Sequence, residues 1–173
     1  MNLLKTVALI FAITAQSASA EPTASLTTGM IAAMSGEWSG VMRAEVPPDT
    51  EEFPWRTSCA PVALGAGVLC HSEGTASIGP IAQSCLIAVA PGEEEVHLMC
   101  VSSMGEVHDH RGRYVDGAIR FEPLRAAISG AIVEEIVEYR ITPGGEMQTL
   151  SVVRATGRPD MRFTLRATRQ GAG

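Results

Sequence analysis

The residues best suited to chemistry in this sequence are two histidines on either side of an aspartate, His108-Asp109-His110. Residues two apart on a β-strand project from the same face, so both imidazoles would lie on one face about 7 Å apart. Two imidazoles can ligate a metal ion when a carboxylate or a third histidine joins them. They can equally hydrogen-bond the polar end of a bound molecule, and we expect this second role.

Two more polar residues are expected near the histidines. Tyr114 lies on their face if the strand continues. Glu135 faces inward with Val133 and Val137, because that phase of its segment buries the fewest charged side chains. The alternative interpretation is a solvated strand end, since an aspartate and two arginines surround the histidines. The predicted ligand-binding residues are Trp38, Met42, His108, His110, Tyr114 and Glu135, within an apolar wall that also includes Val133, Phe163 and Leu165.

No catalytic residue, bound metal or cofactor is predicted. Ser102 and Ser103 lie near the histidines in sequence but lack the Gly-x-Ser-x-Gly turn that exposes a nucleophile. The glycine-rich turn at Gly65 does not precede a helix, so it is not a phosphate site. A hydrolytic or metal-dependent enzyme using His108, His110 and Glu135 is the alternative function. A filled barrel that acts through its surface in the cell envelope is a third.

Turn signals divide the chain into ten segments of strand length. They are Pro47-Pro48-Asp49, Leu64-Gly65, Ile78-Gly79-Pro80, Pro91-Gly92, Met104-Gly105, Asp116-Gly117, Ser129-Gly130, Pro143-Gly144-Gly145 and Gly157-Arg158-Pro159-Asp160. Asp116-Gly117 is typical of the type I′ hairpin turn, in which both central residues need positive φ. Short connections imply an antiparallel meander, and closure of that meander removes the two exposed edges. The sequence therefore predicts an all-β, up-and-down barrel of about ten strands, with a β-sandwich as the alternative.

Local patterns support these elements. A short N-terminal helix is expected over residues 25–34, with Ser25 as its N-cap and Leu26, Met30 and Met34 on one face. Residues 161–167 alternate apolar and polar side chains, as a half-buried strand does. Residues 131–142 fit either a strand or a helix, and their β-branched content together with Pro143 favours a strand.

Four cysteines, Cys59, Cys70, Cys85 and Cys100, predict two disulfides. Cys59 and Cys70 are equidistant from the turn at Leu64-Gly65. Cys85 and Cys100 are equidistant from the turn at Gly92-Glu93. Each pair would therefore lie opposite across a hairpin. Cys70 and Cys85 also flank a turn symmetrically, so that pairing stays open. A thiolate site with His71 or His97 is disfavoured because the chain has no Cys-x-x-Cys.

A helix followed by a strand that carries Gly36-Glu37-Trp38-Ser39-Gly40, and then a meander, resembles the calycin pattern of lipocalins and fatty-acid-binding proteins. It looks closest to uncharacterised bacterial lipocalin-like domains that open with a Gly-x-Trp-x-Gly strand. The resemblance implies a barrel with a ligand cavity. It also implies that the tryptophan closes the barrel bottom under a late-strand arginine, Arg162 or Arg166.

The first twenty residues have the three parts of a secretory signal peptide. Lys5 supplies the positive charge, residues 7–14 form a short apolar run, and Ala18-Ser19-Ala20 is a small-x-small cleavage site. The apolar run is far shorter than the ~20 residues that span a bilayer. We therefore expect export to the periplasm or the exterior, with residues 21–173 forming a single domain.

The exported part would be acidic. Lys5 is the sole lysine, so twelve arginines would face nineteen acidic residues. This balance disfavours a nucleic-acid partner and simple electrostatic docking to anionic lipid. A small apolar molecule is the expected partner, and the oligomeric state is left open.

Signal-peptidase cleavage is predicted after Ala20. N-terminal sequencing of the exported protein should begin at Glu21. An exported chain that still begins with Met1 would contradict the prediction.

Overall fold

The computed structural model describes residues 26–90, 92–128 and 131–171. The predicted signal peptide, residues 1–20, and the predicted helix cap Ser25 lie outside the described residues. The elements are α1 (Leu26–Ala33), β1 (Gly36–Val46), β2 (Asp49–Val62), β3 (Gly67–Ala76), β4 (Gly79–Val89), β5 (Glu95–Ser102), β6 (Val107–Val115), β7 (Ala118–Phe121), β8 (Leu124–Ile128), β9 (Ala131–Ile141), β10 (Glu146–Arg154) and β11 (Met161–Arg169), with a short 3-10 turn (Ala63–Gly65) between β2 and β3.

Ten of the strands form a closed antiparallel ring. Each strand from β1 to β6 pairs with the next, β7 pairs with β9, β9 with β10, and β10 with β11. The ring closes because β1 pairs with β11 along eight residue pairs, from Trp38–Arg169 to Glu45–Arg162. The predicted ten-strand barrel with a short N-terminal helix is confirmed, and the β-sandwich alternative is excluded.

The eleventh strand results from a break at Pro123. Proline has no backbone N–H to donate, so the pairing of β7 with β6 ends at Phe121 and Glu122. The chain then leaves β6 but stays beside β9, where β8 pairs from Leu124–Glu135 to Ile128–Ala131. A segment predicted to be one strand therefore becomes two. Among the described residues, no backbone ladder joins β6 to β8.

Local backbone geometry confirms two further predictions. Asp116 and Gly117 have φ values of 51° and 80°, as a type I′ turn requires. The segment that fitted either a strand or a helix is β9, and its inward phase carries Val133, Glu135 and Val137.

The helix closes one end of the barrel. Met30, Ile31 and Met34 are buried there, whereas Leu26, which was expected on the same face, is exposed. The Trp38 indole donates a hydrogen bond to the Met34 carbonyl oxygen at 2.8 Å. Among the described residues, no helix is long and apolar enough to cross a membrane.

The arginine over Trp38 is Arg169, whose guanidinium carbon lies 4.8 Å from the ring centre. This corrects the expectation of Arg162 or Arg166. Those two arginines are exposed, because they occupy the outward phase of β11. Arg169 lies directly opposite Trp38, in the inward phase that also carries Leu165.

Gly40 allows the ring to close tightly. A Cβ atom at this position would collide with the backbone of Arg166 and Ala167 on β11. The second glycine of the Gly-x-Trp-x-Gly pattern therefore permits the close approach of the first and last strands.

The four cysteines form one row across β2, β3, β4 and β5, and the next residue in that row is His108 on β6. The structure contains the two predicted disulfides, Cys59–Cys70 and Cys85–Cys100, whose Cα atoms lie 4.0 and 4.1 Å apart. These are the short separations of pairs without mutual backbone hydrogen bonds. In an antiparallel sheet, the N–H and C=O groups of one residue point to the same neighbouring strand. Those of Cys70 therefore point away from Cys59 and towards Cys85, so Cys70 and Cys85 form the wider, hydrogen-bonded kind of pair.

Each disulfide closes a short loop, with sequence separations of 11 and 15 residues. The chain-entropy relation then predicts that each contributes about 3 kcal/mol to the free energy of unfolding. The double variants Cys59→Ser/Cys70→Ser and Cys85→Ser/Cys100→Ser should each lose roughly this amount in urea denaturation. Non-reducing peptide mapping of the wild-type protein should recover both pairs. A Cys70–Cys85 peptide would contradict the arrangement.

Candidate functional site

The barrel encloses a cavity of about 800 Å³ that reaches the end opposite the helix. The hairpin turns at Ile78, Met104 and Arg158 border this end. Most of the wall is apolar and comes from the inward phases of many strands: Met42, Phe53, Ile81, Leu98, Val133 and Phe163. Because a ten-strand ring is wide, inward side chains fill its helix end but not the remainder.

A buried polar cluster interrupts this apolar wall. The His108 Nδ1 and Glu135 Oε2 atoms are 2.6 Å apart, and the His110 Nε2 atom is 3.3 Å from the same oxygen. The Ser151 hydroxyl donates to the other carboxylate oxygen, Oε1, at 2.6 Å. His108, His110 and Glu135 are 9%, 1% and 7% exposed. The alternative of a solvated strand end is therefore wrong.

The break at Pro123 allows the cluster to form. Both histidines project inward from β6, and Glu135 projects inward from β9, the strand beyond β7 and β8. Phe121, the last residue of β7, packs edge-on against His110 with ring centres 6.1 Å apart. Gly112 makes room for this contact, because a Cβ atom there would collide with the Phe121 ring and the Arg120 backbone. The histidines are themselves in edge contact, with ring centres 5.7 Å apart.

The cluster holds opposite charges together. Burial alone would raise the pKa of Glu135, but hydrogen bonds from His108, His110 and Ser151 lower it to about 2. The hydrogen bond with Glu135 raises the pKa of His108 above its ordinary value, against the opposing effect of burial. Glu135 is therefore ionised at neutral pH, and its negative charge favours a protonated His108.

Two ring nitrogens in the cluster are buried without a hydrogen-bond partner, His108 Nε2 and His110 Nδ1. Glu106 Oε2 lies 3.8 Å from His108 Nε2, beyond hydrogen-bond range. Burial raises the pKa of the Glu106 carboxyl. Burial, with the nearby charge of Glu135, also raises the pKa of Tyr139, so this phenol stays neutral on the cavity wall.

The three cluster residues are also a possible set of metal ligands. One ligand atom from each of His108, His110 and Glu135 lies within 4.8 Å of the other two. Two imidazoles and a carboxylate suit first-row transition metals.

The structure places four of the six predicted ligand-binding residues on the cavity wall: Met42, His108, His110 and Glu135. Trp38 is buried beneath the helix, and Tyr114 lies near the closed end, opposite Ile119. Neither lines the cavity, because alternation places a side chain inside the barrel without fixing its height along the axis. Leu165, expected in the apolar wall, is likewise buried below the cavity.

Sequence reasoning missed Ser151 and Glu106. Ser151 is in the inward phase of β10, together with Met147 and Val153. The strand pairing of β9 with β10 brings it near Glu135, and no local motif marks it.

Comparison with known proteins supports the architecture. No protein-family model matches the sequence, and no curated protein matches it. The S-type phycobiliprotein lyase of Guillardia theta superposes with a TM-score of 0.59 at 11% identity, covering 82% of this chain and 90% of that one. This likeness to the lyase supports the closed antiparallel barrel fold. The sensor domain of PknI from M. tuberculosis aligns with a TM-score of 0.35 at 13% identity, over 80% of this chain and 88% of that one.

The buried carboxylate is expected to stabilise the fold. In metal-free buffer at pH 7, Glu135→Gln should lower the free energy of unfolding by about 3 kcal/mol, because it leaves His108 buried without its anion. Glu134→Gln is the matched control: Glu134 is the preceding residue, lies half-buried on the outer face of β9 and pairs with Arg154. We expect this change to cost less than about 0.5 kcal/mol.

The loss in the free energy of unfolding caused by Glu135→Gln should also depend on pH. The pKa of Glu135 is lowered in the folded protein, so its stabilisation is complete above the ordinary value of 4.5 and is lost as the pH falls towards 2. Urea denaturation from pH 7 to pH 2.5 should show the two proteins converging. A constant difference across this range would contradict the ionic role of Glu135.

Proposed function

We propose that the protein binds a small, mainly apolar molecule inside the barrel and holds the polar end of that molecule at His108, His110 and Glu135. The observation that carries the proposal is the open, largely apolar cavity of about 800 Å³ with one buried polar cluster in its wall. Ligand pockets commonly have this size and this combination of apolar wall and few polar groups. A barrel filled by its own side chains would lack such a space.

Apolar burial would supply most of the affinity. At about 25 cal/mol per Å², a ligand that buries ~300 Å² of apolar surface gains ~7 kcal/mol before the costs of ordering are subtracted. Met42 on β1 and Phe163 on β11 offer that surface from one side of the ring, and Leu98 on β5 offers it from the other.

The polar cluster would select the head group. An ionised Glu135 disfavours a second buried anion beside it, so a neutral head such as a hydroxyl fits better than a carboxylate. His108 Nε2 and His110 Nδ1 have free hydrogen-bonding capacity.

Export is part of the proposal. It is supported by the cleavage pattern at Ala18-Ser19-Ala20 and by the two disulfides, which persist in oxidising compartments.

A cavity-filling variant tests the location of the site. Ala44 lines the cavity, so Ala44→Phe should weaken binding of the apolar fluorescent probe 1-N-phenylnaphthylamine by at least about tenfold, equivalent to 1.4 kcal/mol. Val41 lies on the outer face of the same strand and is 47% exposed. Val41→Phe is the matched control and should leave affinity unchanged. Absence of probe binding to the wild-type protein, or equal losses in both variants, would refute the proposed cavity site.

A second comparison tests the polar end. Displacement of the probe by decan-1-ol and by decane separates the head group from the chain. His108→Ala/His110→Ala should weaken decan-1-ol binding about fivefold more than decane binding, because roughly 1 kcal/mol of hydrogen bonding is lost. Equal losses for the two ligands would remove the histidines from the binding site.

A further inference from the structure

The geometry points to a divalent transition-metal site formed by His108, His110 and Glu135. This inference deepens the proposed function by placing a cation at the polar end of the ligand cavity. All three residues are buried, project inward from β6 and β9, and bring one ligand atom each within 4.8 Å of the others.

Two of the three separations between the ligand atoms, those from Glu135 Oε2 to each histidine, lie within about 0.7 Å of the separation in a zinc coordination shell. With Zn–N and Zn–O distances near 2.0–2.1 Å, two ligand atoms of a tetrahedral site lie about 3.3 Å apart. His110 Nε2 and Glu135 Oε2 are already 3.3 Å apart. The 2.6 Å separation of His108 Nδ1 from the same oxygen must open by about 0.7 Å. A small rotation of the Glu135 carboxylate supplies this change.

Neighbouring groups are suitably placed to support the ligands. Metal-bound histidines usually donate their second ring N–H to a carboxylate or another acceptor, and ligand carboxylates are themselves hydrogen-bonded. Glu106 lies 3.8 Å from the outer nitrogen of His108, and Ser151 already bonds the outer oxygen of Glu135. The buried, unpartnered His108 Nε2 thus has a partner within a short movement, once Nδ1 binds a metal.

The ligand set selects the class of ion. Calcium and magnesium prefer oxygen ligands, whereas two imidazoles with one carboxylate suit zinc and its first-row neighbours. Three protein ligands leave at least one coordination position vacant. The cluster lines the cavity, so this position is available to water or to an oxygen of the bound ligand.

Zinc titration of the untagged protein, exported and treated with EDTA, tests the site by native mass spectrometry. The wild-type protein should bind one Zn²⁺ per chain, and excess Mg²⁺ should not compete. His110→Ala and Glu135→Gln should each weaken zinc binding at least 100-fold. Glu106→Gln should weaken it 10- to 100-fold, as loss of a supporting hydrogen bond does. His97→Ala is the control, because His97 lies on the partly exposed outer face of β5.

Cobalt provides a readout that does not depend on variants that fold poorly. Co²⁺ added to the wild-type protein should give visible ligand-field absorption of a low-coordinate site, and one equivalent of Zn²⁺ should abolish it. Absence of this absorption, absence of zinc binding, or zinc binding retained in a folded Glu135→Gln protein would overturn the metal site. Binding of 1-N-phenylnaphthylamine is measured on the same metal-free sample. Probe binding without zinc binding overturns the metal site alone, whereas failure of both also overturns the proposed function.

Discussion

Closure of the ring by β1 and β11 is the constraint on which the rest of the structure depends. It removes both sheet edges and commits alternate residues of every strand to the interior. Gly40 permits the close approach, and Trp38, covered by Arg169, seals the helix end. Beyond that sealed end, the ring is too wide for its side chains to fill, so closure of the backbone also creates the cavity.

The same backbone positions the polar cluster. Pro123 ends the backbone pairing between β6 and β7, and β8 continues beside β9. His108 and Glu135 make contact where the backbone pairing of β6 stops. The disulfide between Cys85 and Cys100 ties β4 to β5 in the row that ends at His108. A buried charge is costly unless it is paired, and the cluster meets this requirement within the protein. The result is a buried cluster of charged groups in a largely apolar cavity wall, and the proposed binding site rests on this arrangement.

Much of the fold could be predicted because turns and alternation are local signals. Asp116-Gly117 specified its turn type, and the spacing of the cysteines about two turns favoured the pairs that the structure contains, although Cys70 and Cys85 also flank a turn. Alternation correctly turned His108, His110 and Glu135 inward. Height along the barrel axis depends on strand stagger, which no local pattern encodes, so Tyr114 was expected in the cavity and lies below it. The burial of His108 and His110, within a stretch rich in charged residues, likewise follows from the tertiary fold.

A crystal structure with bound 12-bromododecan-1-ol tests the central claim most directly, because anomalous scattering locates the bromine independently of the rest of the ligand. The account predicts bromine inside the barrel against the apolar wall, with the hydroxyl oxygen at the His108–Glu135 cluster, directly or through a metal ion held there. Bromine on the outer surface, or a ligand whose hydroxyl lies away from the cluster, would contradict it.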